Sequence, residues 1–315
     1  MKIFLAGATG VISRRLLPLL IHSGHEVTAM TRSQDHTNQI REYGGKPVVC
    51  NVFDKEKLYE AVVAAKPDVL IHQLTNIPRR INPRRVNKEL AATNRLRAEG
   101  TTILLEAARL ASARRFIAQS VAFAYGPSGQ SKAVEEEPLY LDCPSAVADL
   151  VQAISKLESA VPGVPGIQGI VLRYGYFYGP GTIYATDGSF AEDVGRRRIP
   201  IVGNGQGIFS FIHVDDAAAA TVIALDRGEP GIYNIVDDDP APVGEWLPLY
   251  AELLKAPPPF RVPKFIGRLA AGPYGSYLMT EQRGASNDKA KKHLGWTPRF
   301  STWRDGFRLE LAPQT

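Results

Sequence analysis

At 315 residues, with 44% hydrophobic and 22% charged side chains and a net charge of +5, the chain has the profile of a globular protein with a sizeable core. Its arginine pairs Arg79–Arg80, Arg84–Arg85 and Arg114–Arg115 and the run Arg196–Arg198 are scattered and accompany no nucleic-acid module, so solvated surface is expected and no nucleic-acid partner. Cys50 and Cys143 give no sign of a disulfide framework or a metal site, and no apolar run spans a bilayer, so a cytoplasmic location without membrane contact is expected.

Ile3–Ala6 reads as a buried parallel strand, and the apolar start breaks too early, at Gly7, for a signal peptide. Gly7, Ala8, Thr9 and Gly10 then form a tight turn into a helix, Val11–Ile21. A glycine turn between first strand and helix suits a pyrophosphate, because backbone N–H groups and the positive helix end face the anion. The expected cradle is Gly7, Thr9, Gly10, Val11 and Ile12, with Ser13 where a third glycine would stand. Pro18 should bend the helix.

His25–Thr31 is the second strand. An acid after it would bind the ribose 2′-hydroxyl of NAD and repel a 2′-phosphate. The chain reads Met30, Thr31, Arg32, Ser33, with no acid before Asp35. Arg32, helped by Ser33 and Arg14, therefore points to NADP(H), with NAD(H) the lesser alternative.

Pro47–Val52 is the third strand, placing Asn51, Val52 and Asp54 near an adenine, and Lys55–Ala65 is helical. Val69–Leu74 is the fourth strand. Its end (His72, Gln73, Leu74, Thr75) falls at the carboxyl edge where such sheets bind ligands, with His72 read as a structural hydrogen-bonded histidine. Asn82–Leu110 has helical periodicity, Arg115–Ser120 is the fifth strand, and Ala146–Val161 is a helix carrying Ala148, Gln152 and Lys156 on one face. Gly169–Arg173 is the sixth strand, and Tyr174–Tyr184 reads as a loop over a pocket. Phe209–Val214 is a short strand, Asp215–Asp216 caps a helix through Leu225, and Gly231–Val236 is the last strand. Pro257–Pro259 is a stiff linker before a small C-terminal lobe. The alternation predicts an α/β fold with a doubly wound parallel sheet.

Six motifs, GATGVIS (7–13), RRFIAQSVAFAYG (114–126), AISKLE (153–158), VLRYGYFYGPG (171–181), SFIHVDDAA (210–218) and LGWTPR (294–299), run nearly end to end. In content and order the chain resembles the short-chain dehydrogenase/reductase superfamily, in its extended NAD-dependent epimerase/dehydratase branch. The resemblance implies a Rossmann domain over 1–173, rejoined by 209–236, with an interleaved substrate lobe from 174–208 and 237–315. It also implies cofactor contacts at Gln73, Leu74, Lys156 and Tyr174, a small-molecule substrate and a homodimer.

The family carries a Tyr four residues before its Lys; here Lys156 and Ser155 are kept, and the Tyr position is Gln152. The family's Ser or Thr, four residues before the YG pair, is Val121, and Ser120 stands one position early on the opposite strand face. Tyr176 and Phe209 replace polar residues that nucleotide-sugar members use, which suits an apolar or aromatic substrate. These departures are similar to those of atypical subgroups that keep the cofactor and lose the catalytic set. An NADP(H)-dependent oxidoreductase or epimerase-like enzyme is expected, acting on a small non-nucleotide carbonyl or hydroxyl substrate. Lys156 would hold the ribose, Gln152 would polarise the substrate, and Tyr125 would replace the acid, with Ser120 beside it and Tyr176 or Tyr178 as alternatives. Thr75, Tyr125, Tyr176 and Phe209 would line the substrate. An NADP(H)-binding sensor and a non-redox isomerase or cyclase are the competing readings.

Overall fold

The computed structural model describes residues 1–128 and 132–311. The chain alternates β1 (Lys2–Ala6), α1 (Ser13–His22), β2 (Glu26–Thr31), α2 (Thr37–Glu42), β3 (Lys46–Val49), α3 (Lys55–Ala65) and β4 (Val69–His72). There follow α4 (Val86–Arg95), α5 (Thr101–Leu110), β5 (Arg115–Val121), α6 (Ser145–Ala160) and β6 (Gln168–Tyr174). The last third holds α7 (Ser189–Gly195), α8 (Val214–Ile223), β7 (Gly231–Ile235), α9 (Val243–Leu253), α10 (Lys264–Thr280) and α11 (Trp303–Leu311).

Among the described residues these seven strands form one parallel sheet in the order β7-β6-β5-β4-β1-β2-β3. Strands such as FLA in β1 and VLI in β4 are apolar without alternation because helices cover both sheet faces. One face packs Leu16, Leu17 and Leu20 of α1 with the alanines of α8, and the other packs Leu58 and Val62 of α3 with Leu104 of α5 and Leu157 of α6. The strand order reverses between β1 and β4, both of which point their carboxyl ends into one crevice, where such sheets bind ligands.

Pro18 lies inside α1 without ending it. The strand expected over 209–214 is divided: Ile208–Phe209 pairs with Ala241–Pro242, and Phe211–His213 pairs with Tyr176–Tyr178. Ser210 makes the break, its carbonyl accepting from Tyr176 N at 2.8 Å and its hydroxyl from Ala285 N at 2.8 Å. Asp216 does not cap α8. Its carboxylate accepts from Arg299 N and Phe300 N at 2.8 and 3.0 Å, while His213 Nδ1 takes Asp215 N at 3.2 Å.

A second core, in the lobe, stacks Tyr178, Tyr184, Phe211, Trp246, Tyr250 and Phe307. The connection after β4 crosses to this lobe, where Arg79 donates to the Asp187 carbonyl and Arg80 pairs with Glu192. The helix expected over 82–110 is interrupted between α4 and α5 by a π-turn, Leu96–Gly100. No helix of the described residues is long and apolar enough to cross a membrane.

Candidate active site

Gly7 turns the chain out of β1 with φ +94°, and a Cβ there would stand 2.8 Å from the backbone carbonyl carbon and oxygen of Gln73. Only glycine lets the exit of β1 lie this close to the end of β4. Gly10 N–H donates to the Gly7 carbonyl at 3.2 Å, and a Cβ on Gly10 would meet only that oxygen, at 3.5 Å, so its outer side is open. Among the described residues α1 opens with no side-chain cap and no acid in its first turn. Arg14 and Arg15 N–H already donate to the Gly10 and Ile12 carbonyls, so it is the N–H groups of Val11, Ile12 and Ser13 and the positive helix end that are left for an anion, and the cradle fits a dinucleotide pyrophosphate. Thr9 is half-buried, Val11 is exposed, and Ile12 is buried in the core, so Ile12 can offer only its backbone.

Arg32 is exposed after β2 and donates to Asn76 Oδ1 at 3.4 Å. Asp35, the nearest acid, accepts from Ser33 Oγ at 2.9 Å. Asn51 is exposed with its Oδ1 accepting from Phe53 N, and Val52 is buried beneath it. Gln73 is buried, while Leu74 and Thr75 are half-buried at the sheet edge. Tyr174 departs from expectation: it is buried in the core, its hydroxyl 2.7 Å from Thr221 Oγ1 and accepting from Gln73 Nε2 at 3.4 Å, and it offers the cofactor no free group. His72 is structural. It accepts from Leu74 N at Nδ1 and meets Thr101 Oγ1 at Nε2, and burial pulls it down to about 4, so it stays neutral.

The structure removes Ser120 and Tyr125 as proton donors. Both hydroxyls belong to a buried polar network built on the ion pair of Glu158 and Arg173. Arg173 grips Glu158 with two bonds, Nη2 to Oε2 at 2.6 Å and Nε to Oε1 at 2.8 Å. Ser120 Oγ donates to Glu158 Oε1 at 2.7 Å, and Arg173 Nη1 donates to Tyr125 Oη at 2.6 Å. Tyr125 Oη in turn donates to Asn234 Oδ1 at 2.8 Å. With 1% of its surface exposed, Tyr125 has its hydroxyl pushed up to about 12 by burial, the direction opposite to that of an activated acid.

Gln152 and Lys156 also depart from expectation. Along α6 the exposed positions are Ser145, Asp149, Gln152, Lys156 and Ser159, a solvent stripe at helical spacing. The inward face carries Val147, Leu150, Val151, Ile154, Leu157 and Glu158. One apolar cluster joins Val121, at the end of β5, to Leu150, Ile154, Val86, Leu90 and Ala124. The pair spaced by four residues that meets Val121 is Leu150 and Ile154, two positions before the pair chosen from the SK motif. Replacing Gln152 or Lys156 by Ala is expected to leave turnover and dinucleotide affinity within about twofold, since exposed changes of this kind stay within about 0.5 kcal/mol. Steady-state kinetics and ligand titration of the two variants check this.

Beside this cluster lies a narrow, partly open cleft with a cavity volume of about 20 Å³, lined by Phe123, Tyr125, Tyr140, Leu150, Tyr274 and Tyr277. Of its lining, Phe123 belongs to an aromatic stack in which Tyr176 lies between Phe123 (centroids 4.4 Å apart) and Phe209 (4.3 Å). Tyr176 Oη donates to Gln282 Oε1 at 2.7 Å, so its hydroxyl is committed and its ring faces are covered by Phe123 and Phe209. Tyr178 is wholly buried in the lobe core. Sequence reasoning missed Leu150, Ile154 and Tyr274. The signal for the first two was the inward periodicity of α6.

The sequence model of the NAD dependent epimerase/dehydratase family matches residues 3–236. The chain belongs to this family. It is 42% identical over 311 residues to the 3-diazoavenalumate denitrifying reductase of a Streptomyces species, with 98% of this chain and 100% of the relative covered. A ketoreductase of Stigmatella aurantiaca, acting on a farnesylated dihydroquinoline oxide, is 24% identical, covering 96% and 93%. The Thermotoga maritima UDP-glucose 4-epimerase structure superposes with a TM-score of 0.79 at 21% identity, covering 99% of this chain and 97% of that one. Human epimerase family protein SDR39U1, solved with NADPH, gives a TM-score of 0.74 at 20% identity, covering 99% of each chain. As a family member the protein is an oxidoreductase- or epimerase-type enzyme with the Rossmann fold of nicotinamide-dinucleotide binders.

Proposed function

We propose that the protein is an NADPH-dependent reductase that replaces the dinitrogen of an aromatic diazo compound by hydrogen. The observation that carries this reading is the apolar wall of Val121, Leu150 and Ile154, beside the crevice end of β5. Reduction of a carbonyl consumes a proton and calls for a positioned donor. Ser120 and Tyr125 are committed to the Arg173 network, and Tyr274 is pushed up to about 12, mainly by burial. Reduction of an arenediazonium needs no donor. Its carbon–nitrogen bond breaks with the electron pair leaving on dinitrogen, and one hydride equivalent supplies the hydrogen and electron pair of the new carbon–hydrogen bond. The substrate's positive charge is cancelled, and no net proton is used.

NADPH supplies that hydride equivalent when bound. The Gly7–Gly10 turn and the first turn of α1 would hold its pyrophosphate, and Arg32 its 2′-phosphate, a preference supported by the lack of an acid directly after β2. Val121, Leu150 and Ile154 keep water from a reactive diazonium that would otherwise be hydrolysed. Phe123 and Tyr274 offer π-faces to its positive charge. The 42% relationship to a reductase named for a diazo substrate supports the same chemistry.

The test is NADPH oxidation with 4-carboxybenzenediazonium, set against a ketone panel and a no-enzyme control. Enzyme-dependent oxidation with the diazonium, faster with NADPH than with NADH, is the expected result. Turnover confined to ketones would refute the reading.

A further inference from the structure

The π-turn between α4 and α5 changes which side chains face inward. Arg95 and Glu99 stay outside and pair at 2.8 Å, whereas Arg97 between them is 4% exposed. Nη1 of Arg97 is buried without a partner, and no hydrogen bond or ion pair joins its guanidinium to any described residue. Three residues earlier, Asn94 is 7% exposed, and both polar atoms of its side chain also lack partners. Buried polar groups are nearly always hydrogen-bonded, and a buried charge left alone is costly, so such a pair marks a place that a ligand completes. π-turns recur at functional sites for the same reason of redirected side chains.

The charged and titratable groups around Arg97 do not fill that need. Glu158 is within electrostatic reach, but Ser120 and Arg173 already occupy both of its oxygens. His72, on β4, stays neutral. Tyr274, on α10, faces Arg97 electrostatically and lines the cleft. Burial brings the Arg97 guanidinium down to about 10, which still leaves it protonated at neutral pH.

We infer that Arg97, with Asn94 beside it, binds a carboxylate carried by the aromatic substrate. A guanidinium matches a carboxylate with two parallel bonds, and the Asn94 amide can donate a third. The substrate would then be a zwitterion, its carboxylate on Arg97 and its diazonium over the aromatic stack. This rests on the reading of the cleft as the substrate site.

The test compares 4-carboxybenzenediazonium with 4-carbamoylbenzenediazonium in the wild type, Arg97→Met and Arg97→Lys. The carboxylate-over-carboxamide ratio of kcat/KM should fall about 100-fold in Arg97→Met, the loss typical of truncating one partner of a buried charge pair, and less in Arg97→Lys. The Kd for NADPH should stay within threefold. Equal losses on both substrates, or a tenfold weaker NADPH with an unchanged ratio, would overturn the inference. A second arm needs no turnover: 4-hydroxycinnamate should raise the Tm of the wild type and not of Arg97→Met. If the wild type binds 4-hydroxycinnamate through Arg97 but reduces neither diazonium, the carboxylate site stands and the diazo reading fails. If 4-hydroxycinnamate does not stabilise the wild type, the carboxylate site fails.

Discussion

Glu158→Leu is expected to destabilise the fold by about 3–5 kcal/mol, the cost of leaving a buried charge unpaired. Arg173 is 3% exposed, and its guanidinium sits among Glu158, Tyr125 and the Glu135 carbonyl. Burial works against its charge, but the Glu158 carboxylate outweighs that and raises the guanidinium above its ordinary pKa. With Glu158 gone, the charge remains where water cannot reach it, and Ser120 loses its acceptor. For a chain of this size the loss corresponds to a fall in Tm of roughly 5–10 °C. Adding Arg173→Met to Glu158→Leu removes the stranded charge and should recover about 2 kcal/mol or more, as apolar replacements of whole buried ion pairs do. Urea unfolding of the single and double variants measures both quantities. A double variant no more stable than Glu158→Leu would show that the cost lies in the wider network.

Gly7→Ala should weaken NADPH binding by about 100-fold or more. The new Cβ carries two penalties: a backbone at φ +94° that suits only glycine, and backbone atoms of Gln73 at 2.8 Å that have no flexible end to move aside. Relief must come from shifting the turn itself, which misdirects the N–H groups meant for the pyrophosphate. A displacement costing about 3 kcal/mol of binding corresponds to that factor. Gly24→Ala is the control, since Gly24 also has a positive φ (+78°) but nothing lies within 4 Å of its Cβ. It should lose a little stability and keep NADPH affinity. Isothermal titration of the two variants separates a strained turn from a damaged cradle.

The fold was largely legible because its signals are local. Continuous apolar runs such as FLA and VLI, each followed by a turn and an amphipathic helix, specify a covered parallel sheet whatever lies far away. The glycine turn after β1 was legible for the same reason, since Gly7 acts through its own backbone. The reacting end was not. Its motif offers a lysine, Lys156, and with it a register, yet the face that α6 turns inward holds Glu158 against Arg173 from β6. That contact spans two elements and shifts the relevant pair to Leu150 and Ile154. Tyr125 misled in a similar way, because a tyrosine following a strand looks available until Arg173 and Asn234 are seen to hold its hydroxyl. Arg97 was hidden by the π-turn, since an uninterrupted helix over 82–110 gives no reason to turn it inward.

Reduction without a proton donor leaves its signature in the proton balance of the reaction. In an unbuffered assay held at constant pH, NADPH oxidation by 4-carboxybenzenediazonium should release one dinitrogen per NADPH with no net proton uptake. The chemical step should be independent of pH across the range where the protein is folded. NADPH oxidation that takes up one proton per turnover, or that releases no dinitrogen, would contradict reduction by hydride alone.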